Sequence, residues 1–151
     1  MGRVLRLGTV GFSPLSFAFE SSNLGPVTPA ILIVDDDAGF RDVVRELLIG
    51  RGYEVAGEAA TAGEARTAVA EEGPDGILLD VNLPDGDGVD LALEFNGTRP
   101  AMRILLTSTS EHAMPADVVK RSGAAGFVRK RDLVSTNFAG YFHALREASP
   151  G

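Results

Sequence analysis

Four stretches of this chain place acidic, hydroxyl or amine groups at the end of a short apolar run. Ile31-Leu32-Ile33-Val34 leads into Asp35-Asp36-Asp37, and Ile77-Leu78-Leu79 leads into Asp80. Ile104-Leu105-Leu106 leads into Thr107, and Gly126-Phe127-Val128-Arg129 leads to Lys130. Continuous apolar runs of this length read as strands buried on both faces of a parallel sheet. All strands of such a sheet end at one edge, so the carboxylates, the hydroxyl and the ammonium meet there. Carboxylates brought together repel one another unless a cation joins them, and hard oxygen ligands suit Mg²⁺. Asp37 has a simpler role, because Asp is favoured where a helix starts.

The elements that must position these groups alternate along the chain. Phe40, Val43, Val44, Leu47 and Leu48 fall at offsets 0, 3, 4, 7 and 8, one helical face. Gly50 and Gly52 stop that helix, and Tyr53 to Ala59 reads as a second strand. Thr61 with Glu64 forms a capping box for a second helix, which ends before Gly73-Pro74. A third strand (75–79) is followed by a helix over 89–96, and a fourth strand (103–106) by a helix over 116–121. A fifth strand covers 126–129. Val134, Phe138, Tyr141, Phe142 and Leu145 then predict a last amphipathic helix. Five strand–helix repeats predict a doubly wound five-stranded parallel sheet flanked by five helices, an α/β fold.

Composition narrows the chemistry. The 151 residues suit one domain, and their net charge is −7. Arg3, Arg6 and Glu20 are the only charged residues among the first 29, which leaves −8 on residues 30–151. So acidic a domain repels phosphate backbones, and general nucleic-acid binding is not expected. There is no Cys, which removes disulfides and thiolate metal sites. His112 and His143 are too few for a three-histidine centre and read as surface residues. No apolar run approaches the ~20 residues of a membrane span. Residues 1–29 are rich in Gly, Ser and Pro. Gly8, Gly11, Ser13 and Pro14 break the stretch that Arg3 and Arg6 precede, so a flexible extension is expected rather than an export signal.

The motifs ILIVDDD, LLDVNLPDGDG, ILLTS and GAAGFVRK, in this order and spacing, resemble the receiver domain of two-component response regulators. The resemblance covers residues 30–148 and leaves 149–151 as a tail. It implies a flavodoxin-like receiver fold and a cytoplasmic phosphoprotein in signal transduction. Asp80 matches the residue that accepts a phosphoryl group from a sensor histidine kinase. Asp36 matches a direct Mg²⁺ ligand, Asp35 its neighbour acting mainly through water, and Asn82 a backbone-carbonyl ligand. Lys130 matches the cation that pairs with the phosphoryl oxygens. Thr107 and Phe127 match the hydroxyl and aromatic switch positions. The implied output is a switched face for an unknown downstream protein, and a phosphorylation-dependent dimer falls within the same family behaviour. Neither DNA nor membrane is an expected ligand.

This chain departs from the family pattern at three places. Arg131 follows Lys130 where Pro is common, Phe127 lacks the hydroxyl of a Tyr, and Ser108 is larger than the usual Ala or Gly. Asp85-Gly86-Asp87-Gly88 suggests a calcium loop, but Val89 stands where the third ligand belongs, so a turn with Asp87 capping a helix is expected. Two alternatives accompany the single-domain regulator. One is a Mg²⁺-dependent phosphohydrolase, with Asp37 as its sole proton-donor candidate; the haloacid-dehalogenase motif fails at Gly39. The other is a receiver separated from a DNA-binding output domain, since GAAGFVRKRDL resembles receivers that carry one. An output domain of ~50–60 residues would not fit before Gly151. Lys120, Arg121, Arg129, Lys130 and Arg131 are the cationic cluster that could meet an acidic partner.

Overall fold

The computed structural model describes residues 28–111 and 114–143. The expected extension up to residue 27, His112, Leu145 and the ends of the domain and tail lie outside them. The elements run β1 (Ala30–Val34), α1 (Ala38–Gly50), β2 (Glu54–Ala59), α2 (Ala62–Glu72), β3 (Gly76–Asp80) and α3 (Gly88–Thr98). Then follow β4 (Arg103–Ser108), α4 (Ala116–Ser122), β5 (Gly126–Arg129), a 3-10 helix (Lys130–Ser135) and α5 (Ala139–Phe142). The five strands form one parallel sheet in the order β2-β1-β3-β4-β5. The order reverses between β1 and β3, where ligands of open α/β sheets bind outside the strand carboxyl ends.

The period-two alternation of strand side chains divides the core between the two faces. Ile31, Ile33, Leu78 and Leu105 join Val44 and Leu48 of α1 and Phe138 and Phe142 near the chain's end. Leu32, Val34, Ile77, Leu79, Ile104 and Leu106 join Ala65 and Val69 of α2 and Leu91, Ala92 and Phe95 of α3. The three central strands are therefore apolar on both sides, as their continuous runs predict. Among the described residues no helix is long and apolar enough to cross a membrane.

The caps form largely as predicted. Asp37 accepts from Phe40 N at 3.1 Å, Thr61 from Glu64 N at 3.0 Å, and Asp87 from Val89 N at 2.7 Å. Glu64 reaches the amide of Ala60, one residue before the cap, rather than that of Thr61.

Two predicted apolar faces need correction. Val43 is 64% exposed. The buried stripe of α1 centres on Val44 and Leu48, with Phe40 and Leu47 half-buried beside it. At 100° per residue Val43 lies beyond that stripe. Val134 is 69% exposed because it belongs to the 3-10 helix, not to α5. Three residues per turn change the phase there, so Leu133 points into the core instead. His143 is half-exposed, with its ring centroid 5.4 Å from that of Tyr53 in an edge-to-face contact.

Candidate phosphoryl-transfer and metal site

The adjacent central strands deliver the two buried carboxylates. Val34 pairs with Leu79, so Asp35 and Asp80 leave β1 and β3 side by side. Thr107 lies directly across from Asp80 in the β3–β4 pairing. Asp35 is 1% exposed and Asp80 4%. Each carboxylate is tethered on one oxygen by an amide two residues on: Asp37 N to Asp35 Oδ1 at 2.9 Å, and Asn82 N to Asp80 Oδ1 at 3.0 Å. That leaves Oδ2 of each for the pocket. Lys130 Nζ lies 2.6 Å from Asp35 Oδ2 and 3.4 Å from Asp80 Oδ2. Beyond that ion pair Asp35 Oδ2 accepts no hydrogen bond, and buried Thr107 Oγ1 has no partner either.

Electrostatics follow from this geometry. Burial pushes the Asp80 carboxyl above its ordinary value and the Asp35 charge adds to the push, while the Asn82 amide and Lys130 oppose it. Burial alone would lower the Lys130 ammonium; contact with Asp35 and the charges of Asp80 and Asp35 outweigh it, and its value is raised. Lys130 is thus a firmly charged cation between two carboxylates.

The acidic cluster fits a small divalent cation. Exposed Asp36 joins Asp35 and Asp80, with carboxylate oxygens all within 4.8 Å of one another. Octahedral Mg²⁺ at about 2.1 Å from its ligands sets neighbouring oxygens about 3 Å apart and opposite ones about 4.2 Å apart. The donors are all oxygen, and buried Asp35 Oδ2 has no partner among the described residues besides the Lys130 ammonium. Both features suit a hard cation.

The loops around the pocket include residues that sequence reasoning missed. Arg41 donates to the Asp35 carbonyl at 2.6 Å and to Glu58 at 2.9 Å, fixing the turn after β1. Residues 82–83 pair with 86–87 in a short antiparallel ladder whose tip holds Asp85. Asp85 accepts from Ala62 N at 2.7 Å and Gly63 N at 3.0 Å, and those amides hold its carboxyl below the usual range. With Asp85 so engaged and Asp87 capping α3, the expected turn replaces a calcium loop. A Cβ on Gly88 would stand 2.3 Å from the Asp80 carbonyl oxygen and 2.6 Å from Val81 Cα. The available signal was a glycine in a helix's first turn, where it costs stability relative to alanine.

After Lys130 the chain turns as a 3-10 helix, held by an Arg129–Asp132 ion pair at 3.2 Å and a bond from Thr136 Oγ1 to the Asp132 carbonyl at 2.8 Å. This is how the turn is built with Arg131 in place of Pro. Phe127 pairs with Leu106 and is half-buried against the core face that includes Leu106 and Met114. Ser108 is buried and accepts from Ser110 N at 3.0 Å.

Known proteins resemble this chain in sequence and fold. The sequence profile of the response regulator receiver domain matches residues 31–135. The chemotaxis protein CheY of Thermotoga maritima is 35% identical over 101 residues, 66% of this chain and 83% of that protein. The transcriptional regulatory protein PdtaR of Mycobacterium tuberculosis is 36% identical over 109 residues, 68% of this chain, which spans only 51% of PdtaR's length. The crystal structure of a CheY-like receiver domain protein from Methanospirillum hungatei superposes with a TM-score of 0.63 at 31% identity, covering 72% of this chain and 90% of that one. With the profile spanning most of the chain, the 2-1-3-4-5 sheet in place, and the acidic pair, aspartate, threonine and lysine gathered at one edge, the chain belongs to the response regulator receiver domain family.

Proposed function

We propose that this domain accepts a phosphoryl group on Asp80 from a sensor histidine kinase and thereby switches a protein-binding face. The reading rests on one observation: Asp80 shares a buried pocket with Asp35 and the Lys130 ammonium, beside the exposed carboxylate of Asp36. An Asp80 oxygen attacks phosphorus, an O–P bond forms, and the P–N bond of the phosphohistidine breaks. Lys130 neutralises the oxygens of the arriving group. Asp35, Asp36, Asp80 and the Asn82 carbonyl would hold Mg²⁺, which supplies charge neutralisation at the transferring group. Transfer of this kind is mostly positioning and electrostatics.

Thr107 Oγ1, with no partner, is the hydroxyl free to turn toward the phosphoryl group. Its movement makes room for Phe127 and repacks the face formed by α4, β5 and α5. The cationic cluster favours a protein partner over DNA. Arg121 pairs with Asp117, Arg129 with Asp132 and Arg131 with Glu111, so most of its charge is already answered. A phosphohydrolase would need Asp37 as proton donor, and Asp37 is occupied as the α1 cap. An output domain elsewhere, as in the longer regulators, is compatible with the same switch.

The test is intact mass after incubation with acetyl phosphate and Mg²⁺. The protein should gain one phosphoryl group, about 80 Da, and Asp80→Asn should gain none. Equal labelling of the variant would overturn the assignment.

A further inference from the structure

Phe40 sits in the first turn of α1, where helical spacing assigns it to the buried face. It is only half-buried, and its ring face lies under the Lys130 ammonium, 4.3 Å from Nζ to the ring centroid. The π face of a phenyl ring carries partial negative charge and attracts a cation, more strongly where water is excluded. The Lys130 side chain is 13% exposed, so little water competes.

Among the described residues, the other contacts of this ammonium are the carboxylates of Asp35 and Asp80. In the proposed function both change hands. A divalent cation draws on Asp35, and the arriving phosphoryl group converts the Asp80 carboxylate into an ester-like oxygen. The ring is the contact that neither event removes.

We propose that Phe40 is a positioning residue for Lys130, holding the ammonium at the pocket while its carboxylate partners are taken up by metal and phosphoryl group. This rests on the proposed function for its purpose, but the contact itself is testable without it.

The first experiment replaces Phe40 by 4-fluoro-, 3,5-difluoro- and 3,4,5-trifluorophenylalanine, which drain the π face at almost constant shape. At saturating Mg²⁺ the acetyl-phosphate labelling rate should fall stepwise, reaching a loss of roughly 3- to 10-fold. In a Lys130→Met background the same series should leave the residual rate flat. A purely structural ring would give equal rates across the series, or an equal fall in both backgrounds, and either result overturns the proposal. The second experiment is a double-mutant cycle on unfolding, with Phe40→Leu and Lys130→Met, in the presence and absence of millimolar Mg²⁺. The unfolding constants should show a coupling of roughly 2- to 5-fold that survives Mg²⁺. No coupling, or coupling abolished by Mg²⁺, overturns the proposal. If the wild-type protein takes no phosphoryl group, the functional reading fails, and the cycle still decides the role of Phe40.

Discussion

Asp80→Asn should abolish phosphorylation and also stabilise the resting protein. At an effective dielectric of ~20, the Lys130 ammonium at 3.4 Å attracts the Asp80 carboxylate by about 5 kcal/mol. Asp35, no more than 4.8 Å away, repels it by at least about 3.5 kcal/mol. Exposed Asp36 adds a screened repulsion. The charges nearly cancel, which leaves the cost of burying Asp80 uncompensated. A buried ion costs several kcal/mol after relaxation. The carboxamide keeps an oxygen for the Asn82 amide and has no charge to bury. We expect a gain of about 2 kcal/mol at pH 7 without metal, or roughly 7 °C in Tm.

The sign with pH follows from the raised Asp80 value. Below the ordinary carboxylate range Asp80 is protonated in both folded and unfolded chains, so the variant has no advantage there. As pH rises through the ordinary and then the raised value, the wild type loses stability and the gap opens to its plateau. Urea unfolding across a pH series measures this. Millimolar Mg²⁺ should narrow the gap by stabilising the wild type more than the variant. A variant less stable than wild type at pH 7, or a gain equal at all pH values, would refute the reasoning.

Three further outcomes are expected. Gly88→Ala must move backbone, since its Cβ would meet the Asp80 carbonyl at 2.3 Å; denaturant unfolding should show a loss of about 2 kcal/mol, and acetyl-phosphate labelling should slow, whereas wild-type values for both would mean the approach relaxes freely. Thr107→Val removes a buried hydroxyl that lacks a partner; the resting protein should gain about 1 kcal/mol and still accept phosphate, but its partner affinity should no longer respond, as a binding titration of both phosphorylation states would reveal. Asp85→Ala should lower Mg²⁺ affinity in a calorimetric titration, and because the Asp85 value is depressed, the wild type's lead in thermal melts should be full above the ordinary carboxylate range and close as pH falls through the lowered value.

Much of this architecture is written locally in the chain. Strands β1, β3 and β4 are short apolar runs that lead into the candidate site residues, so position at the sheet edge follows from sequence order alone. Other features depend on distant partners. Asp85 reads as a turn residue until α2, more than twenty residues earlier, supplies its amides. Phe40 reads as core until Lys130 arrives from β5. Val134 misleads because a 3-10 turn between β5 and α5 changes the period, and no Gly or Pro marks the change.

The strand order also distributes the pocket between interior and rim. β1 and β3, which carry Asp35, Asp36 and Asp80, have hydrogen-bonded neighbours on both sides, whereas β5, which leads to Lys130, is an edge strand. Amide hydrogens are released fastest where a segment can open without dismantling the whole sheet. The acceptor half should therefore exchange only on global unfolding, and the β5 half through cheaper local openings. Under the proposed function, capture of the phosphoryl group is thus anchored on strands held from both sides. Its report would be carried at an edge strand, which opens at lower cost.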